Sequence, residues 1–142
     1  VRAALARLGA VPVALQDGTP AWLHAGDIEP VGPTDPWAAL VPTLDPSTMG
    51  WRGRGFYLHA RDVPYVFDSV GNAAPTVWVD GRIVGAWTQD GEGRVQPLLR
   101  CALDDRQTEL VATEVARLEE FLDGRRVPTT YRGALLRGAH LP

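Results

Sequence analysis

The run Pro75–Thr88, PTVWVDGRIVGAWT, constrains the fold more than any other part of the chain. Two stretches rich in β-formers flank Asp80-Gly81, the dipeptide that best tolerates the positive φ angles of a two-residue type I′ turn. With those two residues as the turn, Val79 faces Arg82, Trp78 faces Ile83 and Val77 faces Val84. Val77, Val84 and Ala86 then share one face, and Trp78, Ile83 and Trp87 share the other. Both faces are apolar, so this hairpin needs cover on two sides and belongs inside a layered sheet. A second turn, Asp90-Gly91-Glu92-Gly93, leads to a third strand from Arg94. Pro97 places that strand at an edge or a bulge, because proline cannot donate to a ladder.

The segments around the hairpin supply its cover. Residues 104–123 read as the long helix, capped by Asp104 or Asp105 and ended by Gly124. Its apolar stripe runs through Leu110, Val111, Val115, Leu118, Phe121 and Leu122. Upstream, Asp35-Pro36 and Asp45-Pro46 both carry the signal of an N-cap followed by proline. They predict a helical turn over Trp37–Leu40 and another over Ser47–Gly50. Asp62, before Val63-Pro64, opens a short helix through Phe67. Residues 50–55, GWRGRG, form an irregular loop. Arg125–Arg132 reads as a last edge strand, and the final ten residues as loosely docked.

The first 28 residues have a different character. Val1, Leu5 and Leu8 make an apolar stripe on a helix that Gly9 ends, with Arg2 and Arg7 off the stripe. Val11, Val13 and Leu15, then Ala21–His24, form a hairpin around Asp17-Gly18. A helix followed at once by a two-stranded hairpin is the back half of a winged helix, in which the recognition helix leads into the wing. This helix has no start signal, and its first core residue is the first residue of the sequence. It therefore reads as cut from a larger domain, with the expectation of an exposed apolar flank. Residues 29–36, with three prolines and a glycine, form the linker to a β-rich domain over 37–142. The fold class is α+β: a winged-helix remnant, then a small antiparallel sheet packed on one long helix.

The residues with chemical potential are few. His24, His59 and His140 stand outside metal-ligand spacing of one another and of Cys101, the single cysteine, so no metal site and no cofactor is expected. Cys101, beside Ala102 and Leu103, reads as a buried, inert thiol, and a lone cysteine with no leader-like start points to the cytoplasm. Asp45 reads as a cap, and the Asp104-Asp105 and Glu119-Glu120 pairs as solvated side chains on different faces. No phosphate-cradling glycine loop or nucleophile elbow is present, and no residue reads as catalytic. No apolar run is long enough for a membrane span. The net charge of −3 argues against strong, independent nucleic-acid binding. All fourteen basic residues are arginines. With isoleucine and asparagine also scarce, that is the mark of codon bias more than of function.

Six residues remain as candidates for contacting DNA. Trp51, Arg52 and Arg54 combine an aromatic with guanidiniums on a glycine-rich loop, a set able to stack on a base and reach a phosphate. Arg82, at the hairpin tip, can probe a groove. Arg2 and Arg7 lie on the recognition-like helix. Three have a plainer reading: Trp51 plugs a core edge, Arg52 pairs with a surface carboxylate, and Arg82 is a solvated turn residue.

Two stretches carry a resemblance. LDPSTMGWRGRGFYL, preceded by Val41-Pro42-Thr43, and GNAAPTVWVDGRIVGAW resemble the C-terminal half of the bacterial winged-helix DNA-binding family of the AlkZ/YcaQ type. The resemblance implies tandem winged helices followed by a β-rich segment, in proteins whose characterised members are glycosylases that unhook interstrand crosslinks. It places the catalytic Gln-x-Gln or Gln-x-Asp motif near the start of the full protein. Gln16, Gln89, Gln96 and Gln107 stand singly here, so no catalytic role is carried over. The function this implies is a non-catalytic, DNA-binding or scaffolding C-terminal region of a DNA-repair protein, meeting double-stranded DNA through the full-length parent. The competing class is a structural or protein-interaction domain with no nucleic-acid role.

Overall fold

The computed structural model describes residues 1–138, so His140 lies outside the described residues. The elements make an α+β protein with four α-helices and two antiparallel sheets among those residues. The chain divides after Asp35 into two units. None of the described helices is long and apolar enough to cross a membrane.

The N-terminal unit is a helix and a hairpin. α1 spans Arg2–Arg7 and ends through Leu8, with Gly9 at φ +61°. β1 (Ala10–Ala14) pairs with β2 (Pro20–His24) from Ala10 opposite His24 to Ala14 opposite Pro20. Asp17-Gly18 does make the turn, but in a longer loop. The Leu15 amide donates to the Thr19 carbonyl at 2.9 Å and Gly18 takes φ +79°. That is a three-residue hairpin loop with a left-handed glycine. The Asp17 carboxylate accepts the Thr19 amide at 2.9 Å, which holds its pKa below the ordinary value. α1 buries none of its residues, and Val1, Leu8, Leu15, Trp22 and Leu23 are exposed.

The C-terminal unit is built on a four-stranded antiparallel sheet in the order β3-β4-β5-β6. β3 is Ala38–Val41, where the Asp35-Pro36 signal predicted a helical turn. Sheet pairing overrides the cap. The Trp37 amide donates to Asp80 Oδ1 and its carbonyl accepts the Asp80 amide, both at 3.0 Å, and Leu40 then lies opposite Val77. Pro42 acts in the same direction, because the residue before a proline avoids the α region. β4 (Thr76–Val79) is buried along its whole length. Asp80 and Gly81 take φ +47° and +79°, the type I′ turn expected of them.

β5 runs Arg82–Gln89 and β6 runs Val95–Leu99, with β6 on the edge as Pro97 requires. Val79 pairs with Arg82 and Trp78 with Ile83, but Val77 pairs with Gly85. A β-bulge lets Val84 and Gly85 both oppose Val77 and reverses the parity of everything beyond. Trp87 therefore sits with Val77, not with Trp78 and Ile83 as simple alternation predicts. Its indole N–H donates to the Val41 carbonyl at 2.9 Å. Only glycine fits at position 85, where a Cβ would run into the Leu98 carbonyl oxygen.

Each face of the sheet has its own core. On one side Leu40, Val77, Val79, Trp87 and Val95 pack with Val111 and Leu122 of α4 (Asp105–Leu122). Asp104 and Gln107 form a capping box at its start, and Asp123 closes it in the left-handed region at φ +47°. Phe121 is 77% exposed and not part of the stripe. At 100° per residue it points about 90° away from the line through Val111, Val115, Leu118 and Leu122. Glu119 is not simply solvated, since its Oε1 accepts the Val95 amide at 2.7 Å. On the other face Tyr57, Leu58, Val66, Phe67 and Ala73 cover Trp78 and Ile83. They come from the connection between β3 and β4, which includes α2 (Pro46–Met49) and α3 (Val63–Val66).

Two expectations for the end of the chain fail. No strand forms over Arg125–Arg132. The Gln89 side chain takes the place of a partner strand, donating to the Arg125 carbonyl at 3.1 Å and accepting the Val127 amide at 2.8 Å. Arg126 donates to the carbonyls of Gly91 and Asp90. Residues 133–138 are docked rather than loose. Leu135 is buried, the Ala134 amide donates to the Pro64 carbonyl at 3.2 Å, and a Cβ on Gly133 would strike the Tyr65 carbonyl oxygen.

Candidate nucleic-acid interface

The loop after α2 is fixed at one end and open at the other. Asp45 caps α2 through the Ser47 amide at 2.8 Å, and the chain then leaves regular structure at Gly50. The amides of Tyr57 and Leu58 both donate to the Arg54 carbonyl, making a tight turn. Tyr57 is fully buried. Its hydroxyl donates to the Thr48 carbonyl at 2.8 Å, and its ring stacks on Trp78 with centroids 5.2 Å apart. Burial pushes the Tyr57 phenol up, with the Arg54 charge opposing. The Ile83 amide donates to the Tyr57 carbonyl at 2.8 Å, which pins the loop to the start of β5.

Ahead of that anchor two large aromatics face solvent. Trp51 is 56% exposed and Phe56 61%. They meet edge to face at 5.7 Å, and Phe56 meets Tyr57 edge to face at 4.8 Å. An aromatic series thus runs from the surface at Trp51 to the sheet at Trp78. Trp51 does not plug a core edge. Arg52 is exposed, with no carboxylate in ion-pair range among the described residues. Arg54 turns inward: its guanidinium lies 4.2 Å over the Phe67 ring, and its Nε is buried without a partner. Phe56 escaped the sequence reading because exposure of the second aromatic depends on which one the fold buries, and Tyr57 is the one buried.

Arg82 is exposed at the start of β5. It lines a small cleft of about 120 Å³ together with Tyr57, His59, Arg61, Asp62, Ile83, Val84, Arg100 and Cys101. At its base Arg100 Nε donates to Asp62 Oδ1 at 2.9 Å, both side chains being about nine-tenths buried. The Arg100 guanidinium lies 3.6 Å over the Tyr65 ring, and its Nη1 is buried without an acceptor among the described residues. Arg61 stands further out, 3.8 Å from Asp62 Oδ2. Asp62 precedes α3 as expected but makes no side-chain cap, because its carboxylate faces Arg100. Cys101 is exposed, not buried. Arg61 and Arg100 gave no local signal, since the Arg100–Asp62 pair joins positions 38 residues apart.

The structure brings Arg82, at the start of β5, together with Arg100, after β6, and with Arg61, on the segment that continues from Trp51, Arg52 and Arg54. Arg2 and Arg7 belong to the N-terminal unit, exposed on α1. His24 accepts the Gly26 amide through Nδ1 at 3.1 Å, a capping role. No group of three or more histidine, cysteine, aspartate or glutamate side chains is placed to hold a metal among the described residues.

Comparison with known proteins gives one result. The family model described as "DNA glycosylase AlkZ-like" matches residues 1–121. No curated protein and no solved structure matches the chain.

Proposed function

Because the chain belongs to the AlkZ-like family of DNA glycosylases, and DNA is that family's partner, we propose that these residues form a DNA-contacting, non-catalytic region of a winged-helix repair protein acting on double-stranded DNA in the cytoplasm. In this reading residues 1–28 are the recognition-like helix and wing. Arg2 and Arg7 lie on that helix, and the exposed apolar residues of α1 and the hairpin are covered by the rest of the winged helix. In the β-rich domain, Trp51 and Phe56 meet bases while Arg52 and Arg82 meet phosphates. Arg54 supports the loop from beneath. Linker residues 29–36 join the two parts.

The observation that carries this reading is the solvent-facing Trp51–Phe56 pair. Folding leaves two large aromatics uncovered on one arginine-bearing loop, where base stacking gives them a use. The net charge of −3 is no obstacle, because the acidic residues of α4 carry much of it elsewhere. The test is duplex binding by the chain, followed by fluorescence anisotropy from about 50 mM salt upward. Binding falls steeply with salt, and replacing Trp51 and Phe56 by alanine weakens it by about 1–3 kcal/mol for each base that leaves the duplex stack to meet a ring. Absence of binding at low salt sinks the proposal.

A second reading, a structural or protein-interaction domain, draws on the exposed Leu8, Leu15, Trp22 and Leu23 of the N-terminal unit. It differs by expecting no salt-dependent duplex binding and no effect of the Trp51 and Phe56 substitutions on any nucleic-acid property.

A further inference from the structure

We propose that the cleft around Arg100 is a phosphate-binding subsite, built to hold one phosphoryl or phosphodiester group between Arg82, Arg61 and Arg100.

Charge is the first argument. Three guanidiniums and one carboxylate line the cleft, an excess of two positive charges in a chain whose net charge is −3. The single carboxylate, Asp62, is already engaged by Arg100 at 2.9 Å. Arg82 has no carboxylate in ion-pair range among the described residues. The apolar walls, Tyr57, Ile83 and Val84, strengthen any ionic contact made between them by lowering the local dielectric.

Arg100 is preorganised. Its amide donates to the Val84 carbonyl at 2.7 Å, its Nε is fixed by Asp62, and its plane rests on Tyr65. A guanidinium held by a carboxylate and a ring, on a backbone that is itself bonded, loses little further freedom when it binds an oxyanion. Its Nη1 is buried with no acceptor among the described residues. With Arg100 fixed at the base, the exposed Arg82 and Arg61 are the guanidiniums that a phosphate entering the cleft meets first, and charge-assisted hydrogen bonds to an oxyanion are among the stronger ones.

Size selects the ligand class. At about 120 Å³ the cleft is well below the roughly 300 Å³ at which small-molecule pockets begin, so it takes a group and not a whole nucleoside. Tyr57 lines the cleft and also continues the Trp51–Phe56 series, so the phosphate site adjoins the loop that carries the aromatic surface. The phosphate chemistry stands on the cleft alone. Naming DNA as the source of the phosphate rests on the function proposed above.

The chain carries its own reporter. Cys101 is the only cysteine, is exposed, and lines the cleft. Its alkylation by iodoacetamide is followed on the full chain at matched ionic strength, with inorganic phosphate in one arm and a short duplex in the other. Occupancy slows alkylation, by about tenfold once phosphate stands at ten times its Kd. Arg82→Gln and Arg61→Gln, both at exposed positions, abolish that protection while the circular dichroism spectrum stays unchanged. Protection by phosphate but not by duplex upholds the subsite and removes DNA as its source. An alkylation rate indifferent to both ligands overturns the proposal. So does protection that persists at full strength in both arginine variants, since steric cover alone then explains it.

Discussion

The two units make the same kinds of element but stabilise them differently. In the N-terminal unit a helix and a hairpin satisfy their backbone hydrogen bonds and bury almost nothing. In the C-terminal unit a central strand is buried along its whole length, with a separate apolar cluster on each face of the sheet. A two-stranded hairpin is marginal on its own in water, whereas a covered sheet of three or more strands is not. Local sequence signals are therefore enough to shape a segment, and packing decides how firmly it holds that shape.

Two tryptophans test this contrast most severely. Trp87 is 4% exposed and donates to the Val41 carbonyl of β3, while Trp22 is 51% exposed on β2. Trp87→Ala costs about 3–5 kcal/mol in urea denaturation. Trp22→Ala stays within about 0.5 kcal/mol. Equal effects would erase the distinction between the units. A smaller effect comes from the start of α4. Asp104 gives α4 a capping box, its carboxylate accepting the Gln107 amide at 2.7 Å. Asp104→Ala loses about 1 kcal/mol by the same denaturation measurement.

The smallest effect is one the units share. The Thr19 amide lowers the Asp17 carboxyl, and the Asn72 amide lowers that of Asp68, both from an ordinary value of 3.8. A depressed folded-state pKa means that each turn keeps its full contribution above about pH 4. The contribution fades as pH falls through the folded-state value. Amide shifts of Thr19 and Asn72 followed below pH 4 should move in parallel. If only one moves, turn chemistry depends on the surrounding core after all.

Features governed by local chemistry were legible in the sequence. The Asp80-Gly81 turn, the Asp45 cap, the edge position forced by Pro97 and the start of α4 at Asp104 all depend on neighbours within a few residues. What escaped depends on distant partners. The Asp35-Pro36 signal yields to a strand because Asp80, far along the chain, holds both polar groups of the Trp37 backbone. The Arg125–Arg132 segment looks like a strand but bonds to the side chain of Gln89. The candidate site divides in the same way. Trp51, Arg52 and Arg82 were visible as types on exposed turns, whereas Arg100 acquires its meaning only from Asp62 and Tyr65.

The bulge at Val84 and Gly85 has a consequence for how this hairpin can change length. Elsewhere in β5, losing or gaining one residue would turn every later side chain to the opposite layer and move Trp87 out of its core. At Val84 alone a deletion would leave the later pairings as they are. Yet the Val84 carbonyl receives the Arg100 amide. The one position where the sheet tolerates a change in length is thus also the one bonded to the backbone of Arg100, so shortening the hairpin there would preserve the later pairings and change the cleft wall that Val84 supplies.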